Sequence, residues 1–161
     1  MPLPTPDGEF LARYSLQGLC ALDLPRTPAP ARPPKSPASL PAGIRAWHAI
    51  TARALAAALA GQTSPELPPL DLSAGTPFQQ QVWQVLRQIT LGQTWSYSQV
   101  AQAIGQPKAV RAVGGACGAN PIPVLVPCHR VLAANHRLGG FSGGLDWKRK
   151  LLAREGIRLA T

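Results

Sequence analysis

Seven prolines fall between residues 25 and 41, and this cluster limits the possible folds more than any other stretch of the chain. Proline lacks a backbone N–H and fixes its φ angle, so the segment cannot form a helix or a central strand. We therefore expect a stiff, irregular surface connection. It separates a short amino-terminal part from a longer part in which helical patterns dominate.

Three segments around this connection have readable patterns. Residues 9–24 alternate between apolar and polar side chains around a break at Gln17 and Gly18, which predicts a β-hairpin. From Ile44, apolar residues recur near a 3.6-residue period until Gly61, which predicts one amphipathic helix. Residues 63–74 contain more prolines and should be irregular. A shift in composition near residue 75 predicts an N-terminal α/β domain of residues 1–74 and a C-terminal domain of residues 75–161.

Positive charge is concentrated in the second part of the chain. Residues 76–161 hold ten basic and two acidic side chains, net +8, whereas residues 1–75 hold six basic and five acidic ones, net +1. Lysines and arginines that neutralise phosphates release counterions and so provide much of the affinity for nucleic acids. The charge favours DNA or RNA as the partner, and a basic surface kept for solubility is the alternative.

The three cysteines are an odd number without C-x-x-C spacing, which argues against a disulfide framework and against a thiolate zinc site. The start of the chain has no basic segment followed by an apolar one, and no run of about 18 apolar residues occurs. We expect no metal, no membrane and a cytoplasmic location, with nucleoid association if the source is bacterial.

Two capping boxes mark helix starts in the second part. Thr76 precedes Pro77 and is followed by Gln79 at the third helical position, and Ser96 is followed by Gln99 in the same way. Each pattern predicts a helix. The second helix should bury Val100, Ala103 and Ile104.

A second short helix is predicted in KAVRAVGGACG, residues 108–118, after a break at residues 105–107. Two short helices joined in this way predict a helix-turn-helix unit, although such pairs also occur in proteins that bind nothing. Gly114 and Gly115 disfavour a helix by roughly 1 kcal/mol each relative to alanine. They therefore indicate that another backbone approaches closely, either bound DNA or the cysteine segment that follows.

That segment is PIPVLVPCHRV, in which residues 121–126 predict a short buried strand leading to a turn. Cys128 lies next to His129, and the pair allows three interpretations: a nucleophile, a metal ligand or an inert core cysteine with a polar neighbour. A glycine-rich stretch follows at residues 138–144. The last predicted element is a basic amphipathic helix from Leu145 to Glu155.

Six motifs occur in order between residues 75 and 156: TPFQQQVW, SYSQVAQAIG, KAVRAVGGACGANP, VPCHRV, GGFSGG and LLAREG. Together they resemble the O6-alkylguanine-DNA alkyltransferase family, whose members remove alkyl groups from guanine in DNA. The resemblance implies an α/β (α+β) fold, with a small N-terminal sheet-plus-helix domain and a mainly helical catalytic domain that has a winged-helix-like helix-turn-helix. Residues 1–74 match the family only loosely.

The resemblance also implies the chemistry. Cys128 becomes the acceptor of the alkyl group, His129 takes its proton through a water, and Glu155 orients His129. Tyr97 matches the tyrosine that donates to the base. The product is a thioether, which has no acyl carbon for water to attack, so the protein is implied to act once per molecule and without a cofactor.

Further positions match the substrate pocket of the family. Asn120 is implied to join the recognition helix to the active-site segment by bonding backbone groups, and Val131 to provide a carbonyl and an apolar wall. Ser142 and Gly143 match the loop that closes over the base. Phe141 stands where many relatives have tyrosine, which removes a hydroxyl group from that loop.

Duplex DNA that contains O6-alkylguanine is the implied partner, bound by a monomer through the minor groove. A base stacked in a duplex is out of reach, so the lesion must be rotated out of the helix. Arg111 matches the residue that fills the vacated space. Lys148, Arg149 and Lys150 are candidates for contacts with phosphate, and a solvated face is the alternative for them. The remaining residues that should meet DNA on the recognition helix are Lys108, Ala112, Gly114 and Gly115.

Two other classes of protein remain as alternatives. A non-catalytic lesion-recognising or regulatory helix-turn-helix protein would keep Arg111 and Tyr97 but should lack the acceptor cysteine. A cysteine hydrolase would turn over and would not need a basic helix-turn-helix. Cys20 and Cys117 are interpreted as packing residues, and His136 as a solvated loop residue.

Overall fold

The computed structural model describes residues 1–26 and 40–159. The predicted hairpin is present, but it belongs to a three-stranded antiparallel sheet whose first strand was not predicted. That strand carries Pro2 and Pro4 at alternate positions, which an edge strand tolerates. Residues 27–39, most of the proline-rich connection, lie outside the described residues. The strands, in sheet order, are β1 (Pro2–Thr5), β2 (Gly8–Tyr14) and β3 (Leu19–Asp23).

The predicted amphipathic helix is confirmed as α1 (Ala42–Leu59). Gly61 follows it with a left-handed φ of 69°, as expected for a residue that ends a helix. Residues 63–74 contain no helix, also as predicted, and only Leu70 forms a bridge there, with Leu19. The buried face of α1 consists of Thr51, Ala54, Leu55 and Leu59.

Both predicted capping boxes are confirmed. The hydroxyl of Thr76 accepts a bond from the backbone N–H of Gln79, and the Gln79 side chain accepts one from the N–H of Thr76, at 3.1 and 3.0 Å. Ser96 and Gln99 exchange the same two bonds. They start α2 (Pro77–Leu86) and α3 (Tyr97–Ala103).

One position on the buried face of α3 was predicted wrongly. Val100 and Ala101 are fully buried and Ile104 is partly buried, whereas Ala103 is exposed. A residue turns the helix by about 100°, so Ile104 lies between Val100 and Ala101 while Ala103 falls about 60° outside this arc.

The predicted second short helix is confirmed as α4 (Val110–Gly118), which begins two residues later than expected and packs against α2 and α3. Beside this helix-turn-helix, β4 (Trp95–Ser96) pairs in parallel with β5 (Val131–Leu132). These two short strands bring the start of α3 next to the chain that follows Cys128.

The prediction of a strand at residues 121–126 is wrong. The segment is buried but consists of bends and turns, and Val124 has a φ of 76°, a left-handed value that is rare for a β-branched residue. The N–H of Val126 bonds the carbonyl of Ile122 at 2.9 Å instead of a neighbouring strand. An apolar run of six residues indicates burial but does not distinguish a strand from a buried turn.

The final helix is confirmed as α5 (Leu145–Arg154), with Glu155 as its C-cap and Gly156 in the left-handed region after it. Buried side chains from both parts of the chain, among them Phe10, Leu55 and Leu86, share one apolar core. The division into domains at residue 75 stays a prediction. Within the described residues, no helix is both long enough and apolar enough to cross a membrane.

Candidate functional site

Asn120 shapes the turn that carries Cys128. Its Nδ2 donates to the carbonyl of Val126 at 2.8 Å, and its Oδ1 accepts from the N–H of Ile122 at 3.0 Å. The N–H of Cys128 donates to the same Val126 carbonyl at 2.8 Å. Since Asn120 follows α4 directly, its side chain ties the end of that helix to the backbone of the cysteine segment.

Cys128 begins a short 3₁₀ turn, residues Cys128–Arg130, and is only 3% exposed. Burial raises the pKa of its thiol, although a hydrogen bond with Asn120 and the charge of Lys148 act in the opposite direction. The resting side chain is therefore a neutral thiol. Because the nucleophilic form is the thiolate, a neighbouring group has to take its proton before it can react.

His129 and Glu155 form a buried pair, with 2.9 Å between His129 Nε2 and Glu155 Oε1. Burial alone would raise the pKa of Glu155, but the bonds from His129 and Arg130 outweigh it and lower the pKa to about 2. The carboxylate is thus ionised and accepts the proton of Nε2. Burial in turn lowers the pKa of His129, against the opposing effect of Glu155, so the ring is neutral near pH 7.

The other ring nitrogen of His129 is left as a base. With the proton on Nε2, Nδ1 carries a lone pair, and this buried atom has no hydrogen-bond partner among the residues that the structure describes. Sequence reasoning brought Cys128, His129 and Glu155 together, and the structure places all three at this turn and the end of α5. Their catalytic roles stay a prediction at this point.

Arg130 was not predicted as a site residue. Its guanidinium contacts both carboxylate oxygens of Glu155, with Nη2 at 2.9 Å from Oε1 and Nε at 3.0 Å from Oε2, and its Nη1 donates to the carbonyl of Ile89 at 2.6 Å. Arg130 therefore fixes the carboxylate against the turn that follows α2. Its position directly after the Cys-His pair was the only signal in the sequence.

Lys148 was predicted to contact phosphate or to lie on a solvated face, and both predictions are wrong. The side chain is fully buried, and its Nζ donates to the carbonyls of Val131 and Gly140 at 2.6 and 3.0 Å. Nζ also lies 5.9 Å from the centre of the Tyr97 ring. Burial lowers the pKa of Lys148 to about 8. The signal that sequence reasoning missed is the helical spacing of Lys148 with Leu151, Leu152 and Glu155 on one face of α5.

Tyr97, the first residue of α3, lies against the glycine-rich loop at residues 138–144. Its hydroxyl oxygen accepts a bond from the N–H of Gly140 at 3.3 Å, and burial raises the pKa of this hydroxyl group. Gly139 has a φ of 66°, and a Cβ atom there would collide with the Tyr97 hydroxyl. Glycine is required at this position for both reasons.

The predicted substrate-binding residues differ in how far they are buried. Val131 is fully buried, and its carbonyl is already bonded to Lys148. Phe141 packs against the core, whereas Ser142 is exposed at the tip of the loop. Gly143 is half-buried, and a Cβ atom there would collide with Leu24 of the N-terminal part.

Cys117 and Cys20 differ from Cys128 in their surroundings. Cys117 is buried on α4, and burial together with the nearby Cys128 raises its pKa to about 12, so it is a poor nucleophile. Cys20 is partly exposed on β3, and its Sγ bonds the carbonyl of Arg13 at 3.3 Å. Both environments agree with packing roles. His136 is exposed in the turn after β5, as predicted for a loop residue.

The outer face of α4, with the residues just before the helix, carries basic side chains and small residues. Lys108, Arg111 and Ala112 are exposed, while the indole N–H of Trp83 holds the inner face by donating to the carbonyl of Ala116 at 2.8 Å. Apart from the chain neighbours and the backbone of α4 itself, no described atom comes within 4 Å of where a Cβ on Gly114 or Gly115 would be. The cysteine segment is therefore not the surface that these glycines meet, and they face outward.

Comparison with known proteins gives a consistent result. Residues 77–157 match the family model of the 6-O-methylguanine DNA methyltransferase DNA-binding domain. The methylated-DNA--protein-cysteine methyltransferase of Salmonella typhimurium is 53% identical over 87 residues, 54% of this chain and 51% of that protein. The bifunctional transcriptional activator/DNA repair enzyme Ada of Escherichia coli is 50% identical over 103 residues, 64% of this chain and 29% of that protein. The chain thus spans about half the length, or less, of these curated relatives.

Solved structures match over nearly the whole chain. OGT of Mycobacterium tuberculosis, crystallised in complex with DNA, superimposes with a TM-score of 0.77 at 35% identity, covering 96% of this chain and 90% of that one. An O6-methylguanine DNA methyltransferase from Methanococcus jannaschii gives a TM-score of 0.70 at 26% identity, covering 100% and 96%. The similarity therefore includes the N-terminal sheet, which no sequence motif identified.

Proposed function

Because the chain belongs to the 6-O-methylguanine DNA methyltransferase family, we propose that it repairs duplex DNA by moving the alkyl group of O6-alkylguanine onto its own Cys128. The observation that carries the proposal is the buried Cys128 directly followed by a neutral His129 whose Nε2 is engaged by Glu155. This arrangement supplies a sulfur nucleophile, a base for its proton and a fixed negative charge behind that base.

Proton removal comes first. The thiol proton of Cys128 passes to Nδ1 of His129, through a bridging water because neighbouring side chains point apart. The imidazolium that forms is stabilised by Glu155, which is ionised throughout the physiological range since its pKa is about 2. Lys148, held near the acceptor by two carbonyl groups, adds a positive charge that favours the thiolate.

Alkyl transfer follows as an in-line displacement. The Cys128 sulfur bonds to the alkyl carbon, the bond from this carbon to O6 breaks, and the electron pair stays on guanine. The hydroxyl group of Tyr97 donates a proton to the guanine ring. It receives a proton in return from the His129 imidazolium, through solvent. The balance is one thiol and one alkylguanine converted to one thioether and one guanine. Each molecule therefore acts once.

DNA binding uses the outer face of α4. Since Cys128 is 3% exposed, a base within the stack cannot reach it, and the lesion has to be flipped into the pocket at a cost of a few kcal/mol. Arg111 occupies the vacated space, and Lys108 contacts the backbone. Ala112, Gly114 and Gly115 let the minor groove come close. Residues 139–143 cover the flipped base, with Ser142 at the tip, Phe141 as an apolar wall and N–H groups available to O6.

The organisation of the chain follows from the same proposal. Residues 75–161 form the DNA-binding alkyltransferase domain, and residues 1–74 form an N-terminal α/β domain that packs behind it. We propose a monomer that works on chromosomal DNA in the cytoplasm. No cofactor is required, because the acceptor sulfur and the proton acceptor both belong to the chain.

The test uses a duplex with a single O6-methylguanine. The protein is mixed with this duplex, and the mass of the intact chain and of its peptides is recorded. We expect one methyl group on the peptide that contains Cys128, saturating at one per molecule. The Cys128→Ala variant should bind the lesion without any gain of mass, and Cys20→Ala, a substitution on β3, should behave like the parent.

Other outcomes would overturn the proposal. Tight binding of the lesion with no transfer by the parent would favour a non-catalytic lesion-recognising protein. Release of alkyl groups over many turnovers would favour a hydrolase. Transfer that survives in Cys128→Ala would assign the acceptor to another residue.

A further inference from the structure

The end of α5 joins the N-terminal sheet to the catalytic pair. Arg154 and Glu155 are consecutive residues, and their side chains point into different parts of the molecule. The guanidinium of Arg154 forms a two-pronged ion pair with Asp7, in the turn between β1 and β2, with Nη1 to Oδ2 and Nη2 to Oδ1 both 2.7 Å. Glu155 faces His129 and Arg130 instead.

The Asp7–Arg154 ion pair is partly shielded from water. The side chain of Asp7 is 13% exposed and that of Arg154 is 31% exposed. The bonds to Arg154 lower the pKa of Asp7, so its carboxylate is charged at any physiological pH. Paired bonds from a planar guanidinium to a carboxylate fix direction as well as distance.

Other contacts hold the same turn against the N-terminal part. Nη1 of Arg154 also donates to the carbonyl of Leu59, at the end of α1, at 3.1 Å. A Cβ atom on Gly61 would collide with the carbonyl oxygen of Arg154, so α1 and α5 approach closely here. About two turns earlier on α5, the ring of Trp147 meets Phe10 of β2 edge-on at 5.6 Å.

This placement matters because Glu155 is the C-cap of α5. The last turn of a helix has unpaired carbonyl groups and frays unless other groups hold it. Arg130 holds the carboxylate of Glu155 from the cysteine turn, whereas the Asp7–Arg154 pair holds the backbone next to it from the N-terminal sheet. If the second contact is lost, the carboxylate can drift relative to His129.

We propose that the Asp7–Arg154 ion pair makes the N-terminal sheet a positioning element for Glu155, and through Glu155 for the transfer of the Cys128 proton to His129. The inference rests on the proposed function. Asp7 and Arg154 touch neither DNA nor the reacting atoms, so they act only through the position of Glu155.

The test compares Asp7→Asn with a matched control, Asp23→Asn. Asp23 lies in the same sheet and pairs with Arg13 at 3.4 Å, but this pair is exposed and does not touch α5. Displacement by 1 Å at a catalytic group can slow a reaction about 100-fold, and because Arg130 still holds the carboxylate we expect Asp7→Asn to transfer methyl about tenfold more slowly. Affinity for the lesion duplex should be unchanged, since Arg111 lies on α4 and Lys108 two residues before its start.

A second measurement separates positioning from simple destabilisation. Cys128 is alkylated with iodoacetamide as a function of pH, at a temperature where both variants are folded. The charged, titratable and hydrogen-bonding groups that face the reacting pair are Lys148, Asn120, Cys117 and Tyr97 at Cys128, and Glu155, Arg130 and Lys148 at His129. These side chains are unchanged in Asp7→Asn, which removes only the charge that pairs with Arg154 and, at 3.6 Å, with Lys150, so a shift of the pH midpoint reports displacement of the facing groups. We expect a shift to higher pH in Asp7→Asn, none in Asp23→Asn, and partial restoration of the transfer rate in the charge-swapped Asp7→Arg/Arg154→Asp protein.

The proposal is overturned if Asp7→Asn transfers methyl at the parental rate, or if its loss of rate is matched by a loss of affinity for the lesion. An equal effect in Asp23→Asn would also overturn it, because the effect would then belong to the sheet as a whole. If the proposed function itself is wrong, the parent protein will not accept a methyl group, and this result is distinct from those above. The iodoacetamide profiles would still report on the position of Glu155.

Discussion

The Nζ atom of Lys148 lies 2.6 Å from the carbonyl oxygen of Val131 and 3.0 Å from that of Gly140. One ammonium group therefore links the strand that leaves the cysteine turn to the loop proposed to cover the base. Without it, these two carbonyl groups would lose their donor. The bond from the N–H of Gly140 to the hydroxyl oxygen of Tyr97 would still connect the loop to α3.

Replacing Lys148 by methionine should loosen this loop and slow alkyl transfer. Methionine has a similar length but no donor, so a buried carbonyl group is left unpaired, which typically destabilises a protein by about 1–3 kcal/mol. Amide hydrogen exchange at residues 138–144 and the single-turnover rate measure the two effects. Arg149→Met is the matched control, because Arg149 is exposed on the same helix. Equal effects of both substitutions would contradict the assigned role.

The buried pair of His129 and Glu155 predicts that the protein loses stability in acid. Glu155 has a folded pKa of about 2, below its ordinary value of 4.5, so its contribution is present above pH 4.5 and is lost as the pH falls towards 2. The folded pKa of His129 is also lowered, so its contribution begins to fall below about pH 6.5.

Denaturant midpoints measured from pH 7 down to pH 3 test this. They should fall steadily in the parent, with at most about 3 kcal/mol attributable to Glu155. Glu155→Gln should be less stable at pH 7 but should show a flatter profile below pH 4.5. A variant profile parallel to that of the parent would show that Glu155 is not the group that titrates.

Arg111 and Lys108 should contribute differently to repair. Both are exposed cations at α4, and neutralising either should reduce the dependence of affinity on salt by about one counterion. Arg111→Ala should in addition slow transfer from a fully paired duplex, because nothing fills the space of the flipped base. Comparing the transfer rate at saturating DNA for the two alanine variants checks this. A deficit of the same size in Lys108→Ala would argue against a specific role of Arg111 in flipping.

His136→Gly should stabilise the turn after β5. His136 is exposed and has a φ of 56°, a left-handed value that strains most residues with a Cβ atom by about 1–2 kcal/mol. Glycine removes this strain but also makes the unfolded chain more flexible, so we expect a net gain below about 1 kcal/mol. Thermal unfolding measures it. Asn135→Gly at the neighbouring position should gain less, because asparagine tolerates this conformation.

The helices of the second part were predicted well because their signals are local. The capping boxes at Thr76 and Ser96 and the stop at Gly156 depend on residues within one turn of each helix end. The strand predicted at residues 121–126 failed because its conformation is imposed from a distance. Asn120 and the surrounding core hold Val124 in a left-handed conformation that no local propensity favours.

Only those site residues that belong to a sequence motif could be predicted. PCHRV and LLAREG identified Cys128, His129 and Glu155, and the pairing of His129 with Glu155 is seen at 2.9 Å. Lys148 was assigned to the surface because lysine is almost never fully buried. Its burial depends on the carbonyls of Val131 and Gly140, which come from a strand and a loop whose meeting no sequence pattern records.

The spacing of the buried residues on α5 limits how this helix can vary. Lys148 and Glu155 are seven residues apart, close to two turns, and Leu151 and Leu152 lie between them on the same face. Inserting or deleting one residue would rotate one end by about 100° relative to the other and would take either the ammonium or the carboxylate out of the interior. Arg149 and Ala153 are exposed, so this spacing does not restrict them. The length of the helix between its two buried charges cannot change by single residues, which gives a rule for any redesign of this domain.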